Sequence, residues 1–284
     1  MNFLLLFLSL SLETGKNIFS NNFGKNYLKN NTDVYKFNML LYTGSFITLL
    51  IMRNLRCSLF TLITAFIFAA VTAASQMFFL KALRYGHMSF TTFVQCSSMI
   101  IPTLYGIIIL GEKMTVLQVI AIPMLIFAMA LVLGIKREKI NSKWVIFSLL
   151  AMLFTGLIGI MQTVHQTSDH SDELFGFLTL AFLFASAFNA AFWVYEGRKH
   201  RASFSVKSCV PIHAGLSGIF MGIVNVINLY LAGVMPKVLF FPISNGGLIF
   251  MTSLCGVVIF KEKLNVKQWI GMAVGIAALC CLGI

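Results

Sequence analysis

The chain has 284 residues, 58% of them hydrophobic and 11% charged, with 28 Phe and a mean hydropathy of +0.89. That composition excludes a water-soluble globular domain and points to an integral membrane protein. A net charge of +12 would suit nucleic acid, but the basic residues stand in short clusters between apolar runs and form no stripe interleaved with aromatics, so lipid headgroups are their expected partners.

In chain order, hydropathy predicts ten helical spans near 2–22, 37–53, 58–82, 88–110, 115–135, 143–165, 174–196, 210–234, 237–260 and 265–284. The opening MNFLLLFLSLSL resembles a signal-peptide core, but it lacks a basic n-region and a small-residue cleavage site and runs into Glu13 and Lys16, so it is read as the first span. The polar stretch from Asn21 to Asp33 reads as an exposed loop, and the other connections are short. Six cysteines, Cys57, Cys96, Cys209, Cys255, Cys280 and Cys281, contain no CxxC pair and read as buried free thiols. No metal or cofactor is expected, because P-loop, HExxH and GxSxG patterns are all lacking. The chain is therefore not read as an enzyme.

Basic residues orient the spans. Connections after odd-numbered spans, with the adjoining helix ends, hold 17 Lys and Arg; those after even-numbered spans hold four, Arg53, Arg56, Lys113 and Lys237. This asymmetry puts the odd connections inside and both termini outside.

The chain also repeats itself. Gly111-Glu112-Lys113-Met114-Thr115-Val116-Leu117-Gln118 returns 150 residues later as Lys261-Glu262-Lys263-Leu264-Asn265-Val266-Lys267-Gln268, with four of eight positions identical. The same offset pairs Leu104 with Leu254, Gly106 with Gly256 and Ile120 with Ile270. Five spans fall within one offset, and an odd number of crossings inverts the second copy. The expected fold is thus all-α, with about ten transmembrane helices in two inverted five-helix repeats, residues 1–136 and 137–284.

At this point the sequence resembles the EamA-like family of the drug/metabolite transporter superfamily. The likeness rests on Tyr85-Gly86-His87-Met88-Ser89-Phe90, on Ile101-Pro102-Thr103-Leu104-Tyr105-Gly106 followed by GEKMT, on Phe241-Pro242-Ile243-Ser244-Asn245-Gly246-Gly247, and on Phe260-Lys261-Glu262-Lys263-Leu264 with Gln268-Trp269-Ile270-Gly271. The resemblance implies ten helices, an inverted repeat, a central cavity and secondary transport of small metabolites or drugs. Many relatives have both termini cytoplasmic, which departs from the orientation read from the basic residues.

Polar side chains within membrane helices are the candidate site, since they are tolerated where they face a partner or a cavity. At offset 150, Gln95 pairs with Asn245 and Ser75 with Asn225, while an offset of 149 aligns Glu13-Thr14-Gly15-Lys16-Asn17 with Gln162-Thr163-Val164-His165-Gln166. Ser75, Gln95, Gln162, Asn225 and Asn245 are the expected substrate contacts. Glu13, Lys16 and His165 are the coupling candidates, with mutual neutralisation of Glu13 and Lys16 as the plainer account. Pro242, Gly246 and Gly247 suit a bent or closely packed helix start, and Gly271 with Gly275 forms a small-residue face that would pack within the bundle or on a second subunit. Of Asn225 and Asn228, one would line the cavity and the other bond a neighbouring helix.

The sequence reads as a bacterial-type plasma (inner) membrane carrier of a small polar or amphipathic solute, with lipid, and a proton or counter-substrate, as further partners. Efflux of lipophilic cations through a carboxylate such as Glu13 is one alternative; a non-transporting membrane scaffold is another. Oligomeric state is not legible.

Overall fold

The computed structural model describes the chain except residues 28–30, 52–54, 84, 86–87, 133–141, 200–208, 261–263 and 284. The Lys261-Glu262-Lys263 turn, Arg53, Arg84, His87 and the basic clusters at 136–139 and 201–207 lie outside the described residues. Among those described, regular structure is helical throughout. The helices are α1 (Asn2–Tyr27), α2 (Asn31–Leu50), α3 (Leu59–Leu83), α4 (Met88–Cys96), α5 (Ile100–Ile108), α6 (Val116–Val132), α7 (Ser142–Gln166), α8 (Leu174–Lys199), α9 (Cys209–Val234), α10 (Lys237–Phe260) and α11 (Val266–Gly283). Among the described residues, five stretches are long and apolar enough to cross a membrane: Leu59–Phe79, Ser142–Gln166, Ser171–Arg198, Ile212–Val234 and Lys237–Cys255.

Two local readings need correction. The stretch from Asn21 to Asp33 is not an extended loop, because α1 continues to Tyr27 and α2 begins at Asn31. Asn costs a helix well under 1 kcal/mol per residue, less than leaving backbone groups unpaired, and Asp33 in the first turn of α2 complements the helix dipole. The fourth span is interrupted rather than continuous: Ser97–Met99 forms a 3₁₀ turn between α4 and α5. Pro102 has no N–H to return to the Ser98 carbonyl, and the Ile100 N–H instead reaches the carbonyls of Ser97 and Ser98, tightening the turn before the proline.

The chain divides into two compact units, each assembled from two segments: Met1–Ala73 with Val164–Gly233, and Ala74–Thr163 with Val234–Ile284. In the first, α2 and α8 run antiparallel, as Tyr35 stacks on Phe192 and Tyr42 on Phe182, at centroid distances of 5.5 and 6.1 Å. Thr43 and Ser186 share a hydrogen bond of 2.8 Å in the same seam. On another face of α2, small residues admit α9. A Cβ on Gly218 would stand 2.5 Å from the Leu41 carbonyl and 3.0 Å from Gly44 Cα. Ser45 Oγ donates to the Gly218 carbonyl at 2.9 Å, a bond that only such close approach permits.

In the second unit, α6 and α11 are likewise antiparallel. Gln268 donates to the Val132 carbonyl at 3.0 Å, and a Cβ on Gly271 would meet Leu131 at 2.7 Å. Gly275 lies against the Phe250 ring of α10, so the small-residue face of α11 is used inside the unit. Gly246 packs on Leu125 of α6, which gives the glycine of the Pro242 to Gly247 stretch a close-packing role, and α10 continues through Pro242. The start of α10 is fixed by a carboxylate. Gly111, at φ +67°, turns the chain so that Glu112 Oε2 accepts the Val238 N–H at 3.0 Å, with the buried Lys237 ammonium 3.8 Å from its other oxygen.

Candidate functional site

In the second unit, α3, α4 and α7 bring three polar side chains together. Ser75 Oγ and Thr155 Oγ1 are 2.7 Å apart, and Gln95 Nε2 reaches the same threonine oxygen at 3.5 Å. Ser75 is buried at 2% exposure. Two of the five predicted contacts therefore meet through a residue that the sequence reading passed over. Its only signal was position: Thr155 lies seven residues before Gln162, two turns along one face of α7.

Gln162 is buried, at 6% exposure. On α10, Asn245 Nδ2 donates to the Phe241 carbonyl at 3.0 Å. A carbonyl only accepts, so the nitrogen faces the helix backbone and Oδ1 is left to accept from elsewhere. Elsewhere in this unit the Oγ atoms of Ser148 and Ser244 and Thr103 Oγ1 are buried without a hydrogen-bond partner. Such a group carries a desolvation cost of about 1–3 kcal/mol.

In the first unit, Asn225 repeats the Asn245 arrangement, its Nδ2 donating to the Met221 carbonyl at 2.9 Å with Oδ1 turned away from that bond. Asn228 instead accepts from Ser9 Oγ of α1 at 2.6 Å, and so bonds a neighbouring helix. Glu13 and Lys16 pair with each other on one face of α1, both partly buried. The plainer account of these two charges thus matches their contacts.

His165, a coupling candidate, is buried at the end of α7. Its ring stacks on Phe177 at 4.2 Å, Nε2 is 3.3 Å from Thr61 Oγ1, and Nδ1 is 3.1 Å from Gln166 Nε2. Apolar walls close around it because Phe60 of α3 and Phe177 of α8 reach the imidazole together. Among the cysteines, Cys96 is buried whereas Cys57 and Cys280 are exposed, which corrects the reading of these two as buried thiols. Cys57 ends up outside because it stands in the short connection before α3, and Cys280 because it falls on an outer face of α11. Among the described residues, no group of His, Cys, Asp and Glu is arranged to hold a metal ion.

Hydrogen-bonded serine, threonine and amide side chains set along helices apolar enough to cross a membrane define a class, a helical membrane protein. Residues 19–134 match the EamA-like transporter family, which belongs to the drug/metabolite transporter superfamily. A protein of known crystal structure, 12% identical, matches with a TM-score of 0.77 over 100% of this chain and 98% of its own length. At that identity the likeness is one of fold. No curated protein matches the chain.

Proposed function

We propose that the chain is a secondary active transporter of a small polar or amphipathic metabolite, working by alternating access in a bacterial plasma (inner) membrane. Ser75, Gln95, Gln162, Asn225 and Asn245 contact the solute, and Glu13, Lys16 and His165 serve coupling. The observation that carries this reading is the Ser75–Thr155–Gln95 cluster. Polar groups inside apolar helices are expensive, and a solute that hydrogen-bonds to them offsets that cost.

The proposed architecture is ten spans in two inverted repeats, residues 1–136 and 137–284. It is supported by helix starts that recur at the sequence offset: 209 − 59 = 150 for α9 and α3, 266 − 116 = 150 for α11 and α6, and 237 − 88 = 149 for α10 and α4. The most extensive helix pairings, α2 with α8, α6 with α11 and α5 with α10, also join counterparts under this offset. Inverted, similar halves can exchange roles at little energetic cost, which is the basis of alternating access.

The test is flux in proteoliposomes holding the purified protein, offered pooled labelled amino acids, sugars and nucleotides with and without a proton gradient. Saturable uptake of one class is expected, and no flux under any condition would sink the transport reading. Gln95→Leu combined with Asn245→Leu is expected to abolish flux while leaving folded protein; normal flux would remove these residues from the site.

A further inference from the structure

The start of α3, the end of α7 and the 3₁₀ turn Ser171–Glu173 that precedes α8 come together within the first unit. Their polar groups form a line from an exposed loop to a buried ring. Glu173 Oε2 accepts from the Ser58 backbone N–H at 2.9 Å and from Ser58 Oγ at 2.8 Å. Ser58 Oγ is in turn 3.3 Å from Thr61 Oγ1. That threonine oxygen is 3.3 Å from His165 Nε2. Thr61 and His165 are both fully buried.

Helix capping explains part of this arrangement. Ser58 Oγ receives the Thr61 N–H at 3.2 Å, as an N-cap does, and Glu173 satisfies the Ser58 N–H. Capping does not explain why the Thr61 hydroxyl turns to an imidazole closed between two phenylalanine rings. Other ionisable groups lie on the loop side. His170 Nδ1 is 3.8 Å from Glu173 Oε1, and Asp172 pairs with Arg56 at 3.6 Å. From α3, the residues facing His165 are Phe60 and Thr61, neither of which titrates.

We propose that Glu173, Ser58, Thr61 and His165 form a proton relay. Its role in coupling rests on the transport reading above. In the release direction, the Nε2–H bond of the imidazolium breaks as Thr61 Oγ1 takes that proton, the threonine's own proton passes to Ser58 Oγ, and the serine's proton passes to Glu173 Oε2. Imidazolium becomes imidazole and carboxylate becomes carboxylic acid, which then loses the proton to water at the loop; uptake is the reverse. The sequence supports a link to the solute, because His165 lies three residues from Gln162 on the same face of α7.

The relay can be tested without knowing the solute. In ¹⁵N-histidine-labelled protein in lipid nanodiscs, the His165 ring N–H signal, assigned by its loss in His165→Asn, reports exchange with solvent. A hydroxyl positioned to pass protons typically accounts for about 10²-fold or more in transfer rate, so Thr61→Val is expected to slow exchange by about that factor and Thr61→Ser to restore it. Glu173→Gln keeps an acceptor for the Ser58 N–H but cannot carry a proton, and is expected to slow exchange likewise. If these residues only cap α3, the variants loosen the helix end and exchange becomes faster. Unchanged or faster exchange in both Thr61→Val and Glu173→Gln would overturn the relay. Where wild type shows gradient-driven flux, Glu173→Gln should lose accumulation and keep exchange of solute. Should wild type carry nothing, the transport reading fails while the ring-exchange result still decides the relay.

Discussion

Thr155 serves two neighbours at once, Ser75 at 2.7 Å and Gln95 at 3.5 Å. Replacing it by valine keeps the shape and removes the hydroxyl. Interhelical hydrogen bonds of this kind contribute about 0.6–2 kcal/mol in membrane proteins. Thr155→Val is therefore expected to lower thermal stability in detergent by about that amount and to weaken solute affinity, and Thr155→Ser to restore both. Cys57 provides a second measurement. Burial first, and the Glu173 charge second, push its thiol above the ordinary cysteine range although the residue is exposed. A raised pKa means less thiolate at neutral pH. Maleimide labelling of a variant keeping only Cys57 should thus accelerate steeply from pH 7 to pH 9, and Glu173→Gln should raise the rate at fixed pH. Neither Thr155 nor the Ser58–Glu173 tie was legible in the sequence. The partners stand 80 and 115 positions apart, and a hydroxyl that bonds across helices has the same local pattern as one that bonds its own backbone. Ser75 and Gln95 were legible because the repeat singled them out.

The helices themselves were read closely. The predicted 237–260 is the observed α10, and 58–82 differs from α3 by one residue at each end. Membrane helices satisfy their backbone internally, so apolar length largely fixes where they lie. Polarity alone does not end them, as α1 shows by running to Tyr27, and hydropathy is blind to the 3₁₀ turn at Ser97–Met99, where the cause is one missing N–H. How closely two helices approach is likewise set by small residues rather than by hydropathy. Gly218 and Gly215 differ sharply here: a Cβ at 218 meets backbone at 2.5 Å, whereas at 215 it meets nothing within 4 Å. Gly218→Ala is expected to separate α2 from α9 and cost about 1–3 kcal/mol. Gly215→Ala is expected to be neutral, or to stabilise slightly by favouring the helix. Melting of the two variants side by side checks both.

Neither compact unit coincides with a sequence half. The first joins Met1–Ala73 to Val164–Gly233, and the second joins Ala74–Thr163, which crosses residue 136, to Val234–Ile284. Residues 1–136 expressed alone would lack the Val164–Gly233 segment that covers α2, and residues 137–284 alone would leave α11 without α6. Each fragment alone is therefore expected to be degraded. Co-expression of both should give a complex that purifies together through a tag on one; stable accumulation of either by itself would contradict this dependence. The same interleaving dictates an order of completion during synthesis. The first unit has all its helices once the ribosome has passed Gly233, while α3 to α6, made much earlier, still wait for α10 and α11. For most of translation those early apolar helices are open to the insertion machinery and to membrane proteases. A premature stop after residue 233 would leave one finished unit and one unmatched set of helices, so the segment 234–284 decides whether the newly made chain survives.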